Sequence, residues 1–442
     1  MLLVGNGPMI TRDLENPFYE NGCVAIDGSV IKEIGPNAEL IAKYPSARFV
    51  DAGGNLIMPG FINTHTHFYS TFARGMPGKY PPAQNFAEVL ERLWWKLDKA
   101  LTPEGVYYSA ATALVDCVKN GCTTVIDHHA SPMCAEGSLF ELEKATRLAG
   151  IRTSLCYEVS DRDGREIMEQ GIRENIRFID HASKCEDDMI AGMFGLHASV
   201  TLSSETLDMC RNALGDRKIG YHVHVAESPA DEENSVKRYK KRIVERFRDF
   251  GITGDNSIFV HGVHLNDAEL EIIKETNTSI VHNPESNMGN AVGCAPLLKM
   301  CGMGLTVGLG TDGFVSDMLQ SYKMANALQK HHNAHPNVAW SEIPEMLFEN
   351  NAKICAKFFK TPVGKLAQGY SGDVVILDYN PPTPLSGENI NGHLFFGANG
   401  RCVITTVAAG KILMQDRKLT EMDEKEICAK AREIAVKVWE AI

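Results

Sequence analysis

No Cys-x-x-Cys pair occurs among the twelve cysteines of this chain, which are scattered, as at Cys23, Cys117, Cys156, Cys294 and Cys402. That speaks against a thiolate zinc site and a disulfide framework, and suits reduced thiols in a cytoplasm. No apolar run approaches the ~20 residues of a membrane span, so no membrane role is expected. The opening MLLVGNGPMITRDLENP has neither a basic segment nor a cleavable apolar one, so no secretion signal is expected. Positive charge is also short. The net charge of −12 argues against nucleic acid as a partner. The basic stretch VKRYKKRIVERFRDF (236–250) reads as a solvated helix face, and attraction of an anion is its lesser reading. Solenoid repeats and low-complexity segments are absent as well. What remains is an ordinary globular composition, 44% hydrophobic and 23% charged, over 442 residues. That length makes more than one structural unit the expectation.

The first ~57 residues look β-rich: CVAIDGSVIKEIG alternates apolar and polar residues around an Asp-Gly turn. The pattern returns in GDVVILDYN (372–380) and VITTVAAGKILM (403–414), so the two ends are expected to pair. A helical segment, DEKEICAKAREIAVKVWEAI, closes the chain. Between the ends, eight short apolar strands alternate with amphipathic helices or long connections: GFINTH, TTVIDH, RTSLCYE, AGMFGLH, IGYHVHV, SIFVHGV, TSIVHN and LTVGLGTD. One helix is well punctuated, with Thr102 as N-cap, Pro103 first inside and Gly121 just past the end. The expected fold class is therefore α/β, a (β/α)8 TIM barrel over 58–360. A small β-sandwich domain would be built from 1–57 and 361–442, the latter including the terminal helix.

Nearly every barrel strand ends in a polar residue. PGFINTHTHFYSTFARG (59–75) ends its strand in His65 and His67, which alternation aims the same way. Then come Asp127, His128 and His129, His197, His222, His224 and Glu227, His261 and His264, His282, and Asp312. In a barrel these ends share one face, where active sites are built, and packing alone would need many unrelated coincidences. His65 and His67 supply two nitrogen ligands. A third nitrogen from the fifth strand and a carboxylate from the eighth would leave a position open for water. His222 and His224 face the same way, so spacing does not choose between them. His224 lies nearer the mouth and three residues before Glu227, which favours it. Asp312 in GLGTDG is the carboxylate candidate, although alone it would read as a turn residue.

Taken in order, PGFINTHTH, HVHVAE, VHGVHL, VHNPESN and GTDG resemble the amidohydrolase superfamily, in its branch of cytosine, guanine and S-adenosylhomocysteine deaminases and triazine hydrolases. The likeness runs over essentially the whole chain, and the SsnA group of aminohydrolases is its nearest form. The resemblance implies one divalent metal held by His65, His67, His224 and Asp312, with Glu227 and His261 as the acid–base and water-orienting pair. The two-metal members carry a carboxylated lysine on strand four; AGMFGLHASVTLS has His197 and no lysine, which favours one metal. His197 and His282 match substrate-facing positions. The loop after the aspartate departs from the pattern, and Phe314 and Asp317 put substrate contacts there in doubt.

The expected activity is that of a metal-dependent hydrolase acting on a C–N bond other than a peptide bond: deamination of an amino-substituted, purine-like heterocycle. The metal lowers the pKa of its water towards ~7 and supplies hydroxide. Glu227 protonates a ring nitrogen, His261 holds the water and stabilises the oxyanion, and Asp312 passes a proton to the departing amine. Zinc is the first expectation for the metal, with iron or manganese compatible with the same ligands. Arg74 is a candidate for a substrate carbonyl or carboxylate, and at least one of His128 and His129 should face the site. Trp94 and Trp95 are neighbours on a helix, so at most one caps the pocket and core packing is the expected fate of the pair. HHNAHP (331–336) reads as a surface connection. Cyclic-amide ring opening and dechlorination are alternatives on the same scaffold; a non-catalytic metal-binding protein is disfavoured. The expected partner is a small heterocycle, and a homodimer is compatible because similar enzymes often dimerise.

Overall fold

The computed structural model describes the whole chain, Met1–Ile442. Its two ends do pair. Strands β1 (Leu2–Ile10), β2 (Phe18–Asp27), β3 (Val30–Pro36), β4 (Arg48–Asp51) and β5 (Leu56–Pro59) join β15 (Val374–Leu377), β16 (Val403–Ala408), β17 (Lys411–Gln415) and β18 (Lys418–Leu419). They form one nine-stranded sheet in which β5 and β15 run antiparallel, with Ile57 opposite Ile376. The hydrogen bonding is that of a single sheet, where two separate layers were expected. One apolar cluster draws Val4, Val24, Ile57, Ile376 and Val407 from both ends of the chain. The final helix, Glu424–Ala441, leaves this sheet and buries Ile427, Ala431, Ile434 and Val438; Trp439 donates its indole N–H to the Phe72 carbonyl at 2.7 Å.

All eight expected middle strands are present, in two parallel sheets. One contains β6 (Phe61–Thr66), β7 (Cys122–Asp127), β8 (Arg152–Leu155) and β9 (Ile190–Gly192). The other contains β10 (Phe194–Ala198), β11 (Tyr221–Val225), β12 (Ile258–His261), β13 (Ser279–His282) and β14 (Val307–Leu309). The expected fourth strand is thus broken at Met193: β9 pairs with β8 and β10 with β11. At the break, the Met193 N–H goes back to Leu155 and the Phe194 N–H forward to Gly220. At the other seam, the N–H groups of Thr311 and Asp312 both donate to the His65 carbonyl at 3.0 Å.

Alternation sorts the side chains of these strands. Ile258 and Val260 join an inner cluster with Ile62, Ile126 and Val281, while Phe259, Val223 and Val225 pack outward with the helices. His222 and His224 consequently point inward. The basic 236–250 stretch is spent on structure. Arg246 is buried and donates to the carbonyls of Ser199 and Leu202, Arg242 pairs with Glu232 and Glu269, and Lys241 pairs with Asp249.

One buried ion pair ties the parallel strands to the nine-stranded sheet. Arg152 of β8 reaches Asp373 at 2.7 Å and the Ser371 hydroxyl at 2.8 Å, and both charged side chains are almost fully buried. Removing one partner strands the other charge away from water, at a cost of about 3–5 kcal/mol. Asp373→Ala should therefore lower the free energy of unfolding by that amount in a urea titration. A change under ~1 kcal/mol would show that the pair does not couple the two parts.

Candidate active site

The site is built at the C-terminal ends of the parallel strands, where three buried histidines and one aspartate converge. His67 donates its Nδ1 proton to the His128 carbonyl, and His224 donates its own to the His197 carbonyl at 2.8 Å. Each ring is left with a bare Nε2 lone pair, and the two face each other at 3.3 Å. As neutral rings in these tautomers the two would repel each other, and a positive charge at this point, a proton on His67 or a metal ion, relieves that repulsion. His65 completes the pattern. Its Nδ1 lies 2.9 Å from His222 Nε2, and its Nε2 is buried with no partner. Asp312 brings Oδ1 to 3.2 Å from His67 Nε2 and 3.7 Å from His65 Nε2.

Three imidazole nitrogens and a carboxylate oxygen, with no thiolate near, are a donor set that zinc accepts. The electrostatics agree. Burial pushes His65 down to about 3. Burial alone would raise Asp312, but the nearness of the His65 and His67 rings outweighs it and holds the carboxyl well below its usual range. Burial would likewise lower His67, yet Asp312 and Glu158 outweigh that and hold it well above the usual histidine value. This position asks for positive charge.

The structure also chooses between the two histidines of β11. His222 has Nε2 on His65 and Nδ1 at 3.6 Å from Cys156 Sγ, so it orients His65 from behind. His224 is the one whose free nitrogen reaches the cluster.

Glu227 and His261 stand beside it. Burial first, then the charges of Asp312 and Asp231, raise Glu227 well above the usual carboxylate range, which favours its protonated form. Burial drops His261 to about 4, which keeps it neutral. Its Nδ1 donates to Asn287 Oδ1 at 2.9 Å; its Nε2 lies 3.4 Å from Glu227 and 3.6 Å from Asp312. In that tautomer Nε2 accepts a proton, which suits holding a water. The expected oxyanion contact would need the other tautomer. Left-handed backbone aims these groups: φ is +50° at Ala226, +74° at His261 and +54° at Asp312. Alternation from Phe259 would turn His261 outward, and the positive φ ends the strand there instead. Such conformations cost about 1–2 kcal/mol per residue and persist at sites the surrounding structure over-determines.

A cavity of about 310 Å³ opens onto this cluster. His197 lines it, as expected. His128 and His282 do not: both are fully buried with no hydrogen bond to either ring nitrogen, and His128 stacks on His222 at 4.3 Å. His128 contributes through its carbonyl. His129 bonds to Ser131 instead of facing the cavity, and His264 donates to the Val292 carbonyl. Arg74 is not at the site; it pairs with Asp116 at 2.6 Å and is 42% exposed. Being close in sequence to His67 does not bring it close to the cavity, because the 3-10 turn Phe68–Ala73 carries it outward.

Both tryptophans line the cavity, against expectation, where the π-helical turn Leu90–Trp94 passes into the α-helical segment Trp95–Leu97. Trp94 meets Tyr69 edge-on and Trp95 meets His197. Phe314 also lines the cavity, whereas Asp317 caps the helix Met318–His332 through Gln320. The histidines of HHNAHP are exposed, as expected. Sequence reasoning missed Glu158, Asp98 and Arg162. Glu158 lies 3.3 Å from His67 and 3.6 Å from His128. Its signal was available, since it follows β8 where other polar strand ends were noted.

Groups that hold a metal ligand's second nitrogen change metal affinity ~10- to 100-fold when removed. His222→Phe should weaken zinc binding by that factor in a competitive chelator titration. Unchanged affinity would mean that His222 does not orient His65.

A profile of the amidohydrolase family matches residues 56–413. The chain is 31% identical over 439 residues to a 5'-deoxyadenosine deaminase of Methanosarcina mazei, covering 98% of this chain and 97% of that protein. It is 31% identical over 447 residues to a 5-methylthioadenosine/S-adenosylhomocysteine deaminase of Syntrophomonas wolfei, covering 99% of each. In structure it is similar to an adenosine deaminase from Xanthomonas campestris with bound zinc, with a TM-score of 0.87, 22% identity, and 99% and 98% of the two chains covered. That last likeness speaks for the fold alone, of the TIM-barrel type. The convergent histidines and aspartate, the family profile over most of the length and the end-to-end relatives agree: the chain belongs to the amidohydrolase family.

Proposed function

We propose that this protein deaminates an adenine-like amino-heterocycle by hydrolysis. The observation that carries the reading is the position of Glu227, buried 3.4 Å from His261 beside the nitrogen–carboxylate cluster, where burial favours its protonated form. The names of the relatives, deaminases of 5'-deoxyadenosine and of 5-methylthioadenosine or S-adenosylhomocysteine, support the ring class. One divalent metal per chain, zinc, is held by His65, His67, His224 and Asp312. Bound there, it supplies the Lewis acidity that makes water nucleophilic at neutral pH.

The chain's own groups do the rest. His261 Nε2 and Asp312 Oδ2, 3.6 Å apart, are two acceptors between which the attacking water is held and relieved of a proton. Glu227 gives its proton to the ring nitrogen next to the carbon under attack, so negative charge does not build up on the ring. Asp312 then passes a proton to the departing amine, and ammonia leaves. His197 and the Trp94–Trp95 wall hold the ring. A closed (β/α)8 barrel over 58–360, joining the two parallel sheets at the β9–β10 and β6–β14 seams, brings these groups together. In the same reading the sheet of 1–57 and 361–442 curls over its shared apolar cluster as a sandwich, and the protein works in a cytoplasm.

Glu227→Gln removes a proton donor and no ligand. Turnover should fall by ~10²–10⁴-fold while zinc content, measured by mass spectrometry of the metal, stays within error. The assay is ammonia release against aminopurines, aminopyrimidines, pterins and triazines. Product formation without ammonia would replace deamination by ring opening or dechlorination, and full activity in the variant would remove Glu227 from the mechanism.

A further inference from the structure

The cavity's charges do not match a substrate with an anionic arm. Its acidic lining, the proton donor Glu227 aside, is Glu91, Asp98, Glu158, Asp231 and Asp312, and it has a single arginine or lysine, Arg162. That arginine is already neutralised. It pairs with Asp98, and its Nε lies 3.1 Å from Asp163, which also takes Lys99. Two cations and two carboxylates make this cluster neutral. The Nε and Nη1 of Arg162 remain without a hydrogen bond, which leaves donors for an acceptor on a ring although the cluster has no net charge.

Other sources of positive charge are spent too. A metal among the histidines is matched by Asp312, with Glu158 beside His67. The helix Pro229–Tyr239 starts at the cavity wall, but its first turn holds Asp231 and Glu232, so its N-terminus offers nothing to an anion. Of the basic 236–250 stretch, Arg242 and Lys241 are paired with carboxylates and Arg246 with backbone carbonyls, while Arg238 sits outside the lining on the Val200 carbonyl.

The wall is short of donors instead. Asp98 Oδ1 and Glu158 Oε1 are buried without any hydrogen-bond partner, on side chains only 1% and 5% exposed. Buried acceptors in this state are satisfied by N–H or O–H groups from a bound molecule or by water.

We propose that the cavity selects uncharged, donor-bearing amino-heterocycles and excludes those with a carboxylate or phosphate arm, and that Asp98 sets this preference by neutralising Arg162. The proposal rests on the deaminase reading for its reaction, but selection by charge is visible in binding alone. An anionic arm would lose its hydration with no counter-charge to meet it, which costs at least ~30-fold in affinity.

The test uses zinc-loaded protein and quenching of Trp94 and Trp95 fluorescence, with ammonia release followed in parallel. Adenosine and 5'-deoxyadenosine are the neutral probes; adenosine 5'-monophosphate and adenosine 5'-carboxylic acid carry the anionic arms. The neutral probes should bind at least ~30-fold more tightly. Asp98→Asn frees Arg162 and should narrow that ratio by strengthening the anionic probes, which general damage to the site would not do. Glu91→Lys, on the exposed rim, should narrow it in the same direction. Equal affinity for both classes, loss of all binding alike in Asp98→Asn, or no binding of any neutral probe would overturn the proposal. Tight binding of the neutral probes without ammonia would uphold it and refute deamination of these rings.

Discussion

Two imidazole nitrogens that face each other at 3.3 Å organise this protein. His67 and His224 give their Nδ1 protons to backbone carbonyls, so their Nε2 atoms meet without repulsion only where a positive charge is held between them. Everything nearby follows from that choice of tautomer. The carbonyls of His128 and His197 fix it, His222 fixes the orientation of His65, and Asp312 supplies the negative charge that a cation among neutral imidazoles needs. The remaining groups are arranged around that positive charge.

The fold is what makes this arrangement affordable. Parallel strands bring their C-terminal ends to one face, and the backbone there takes left-handed turns at Ala226, His261 and Asp312 that no isolated strand would adopt. Burial then separates two roles. Glu227, among other carboxylates and away from water, is pushed towards its protonated form; His261, equally buried, is pushed towards its neutral one. One low-dielectric pocket thus favours an acid in its protonated form and a base in its neutral form at the same pH.

Much of this was legible in the sequence, for reasons that can be named. Strand alternation put His65 and His67 on one side and His222 with His224 on another, and the order of the polar strand ends identified Asp312. What alternation could not reach was the exception to it. His261 follows Phe259 by two residues, and Phe259 packs outward, so only the positive φ brings the imidazole to the site. The tryptophan pair was misread because one α-helix was assumed where a π-turn passes into an α-helical segment. The break at Met193 was hidden because AGMFGLH is apolar on both sides of it. Asp98 and Arg162 lie in connections without a motif, where contacts depend on tertiary placement; Arg74 shows the reverse error, nearness in sequence taken for nearness in space.

X-ray absorption at the zinc edge of the loaded protein tests the central claim most directly. The account predicts three imidazole nitrogens and a carboxylate or water oxygen at about 2.0–2.2 Å, with no sulfur shell. Fewer than three imidazoles, a sulfur at about 2.3 Å, or a second metal at about 3.5–4 Å would contradict it.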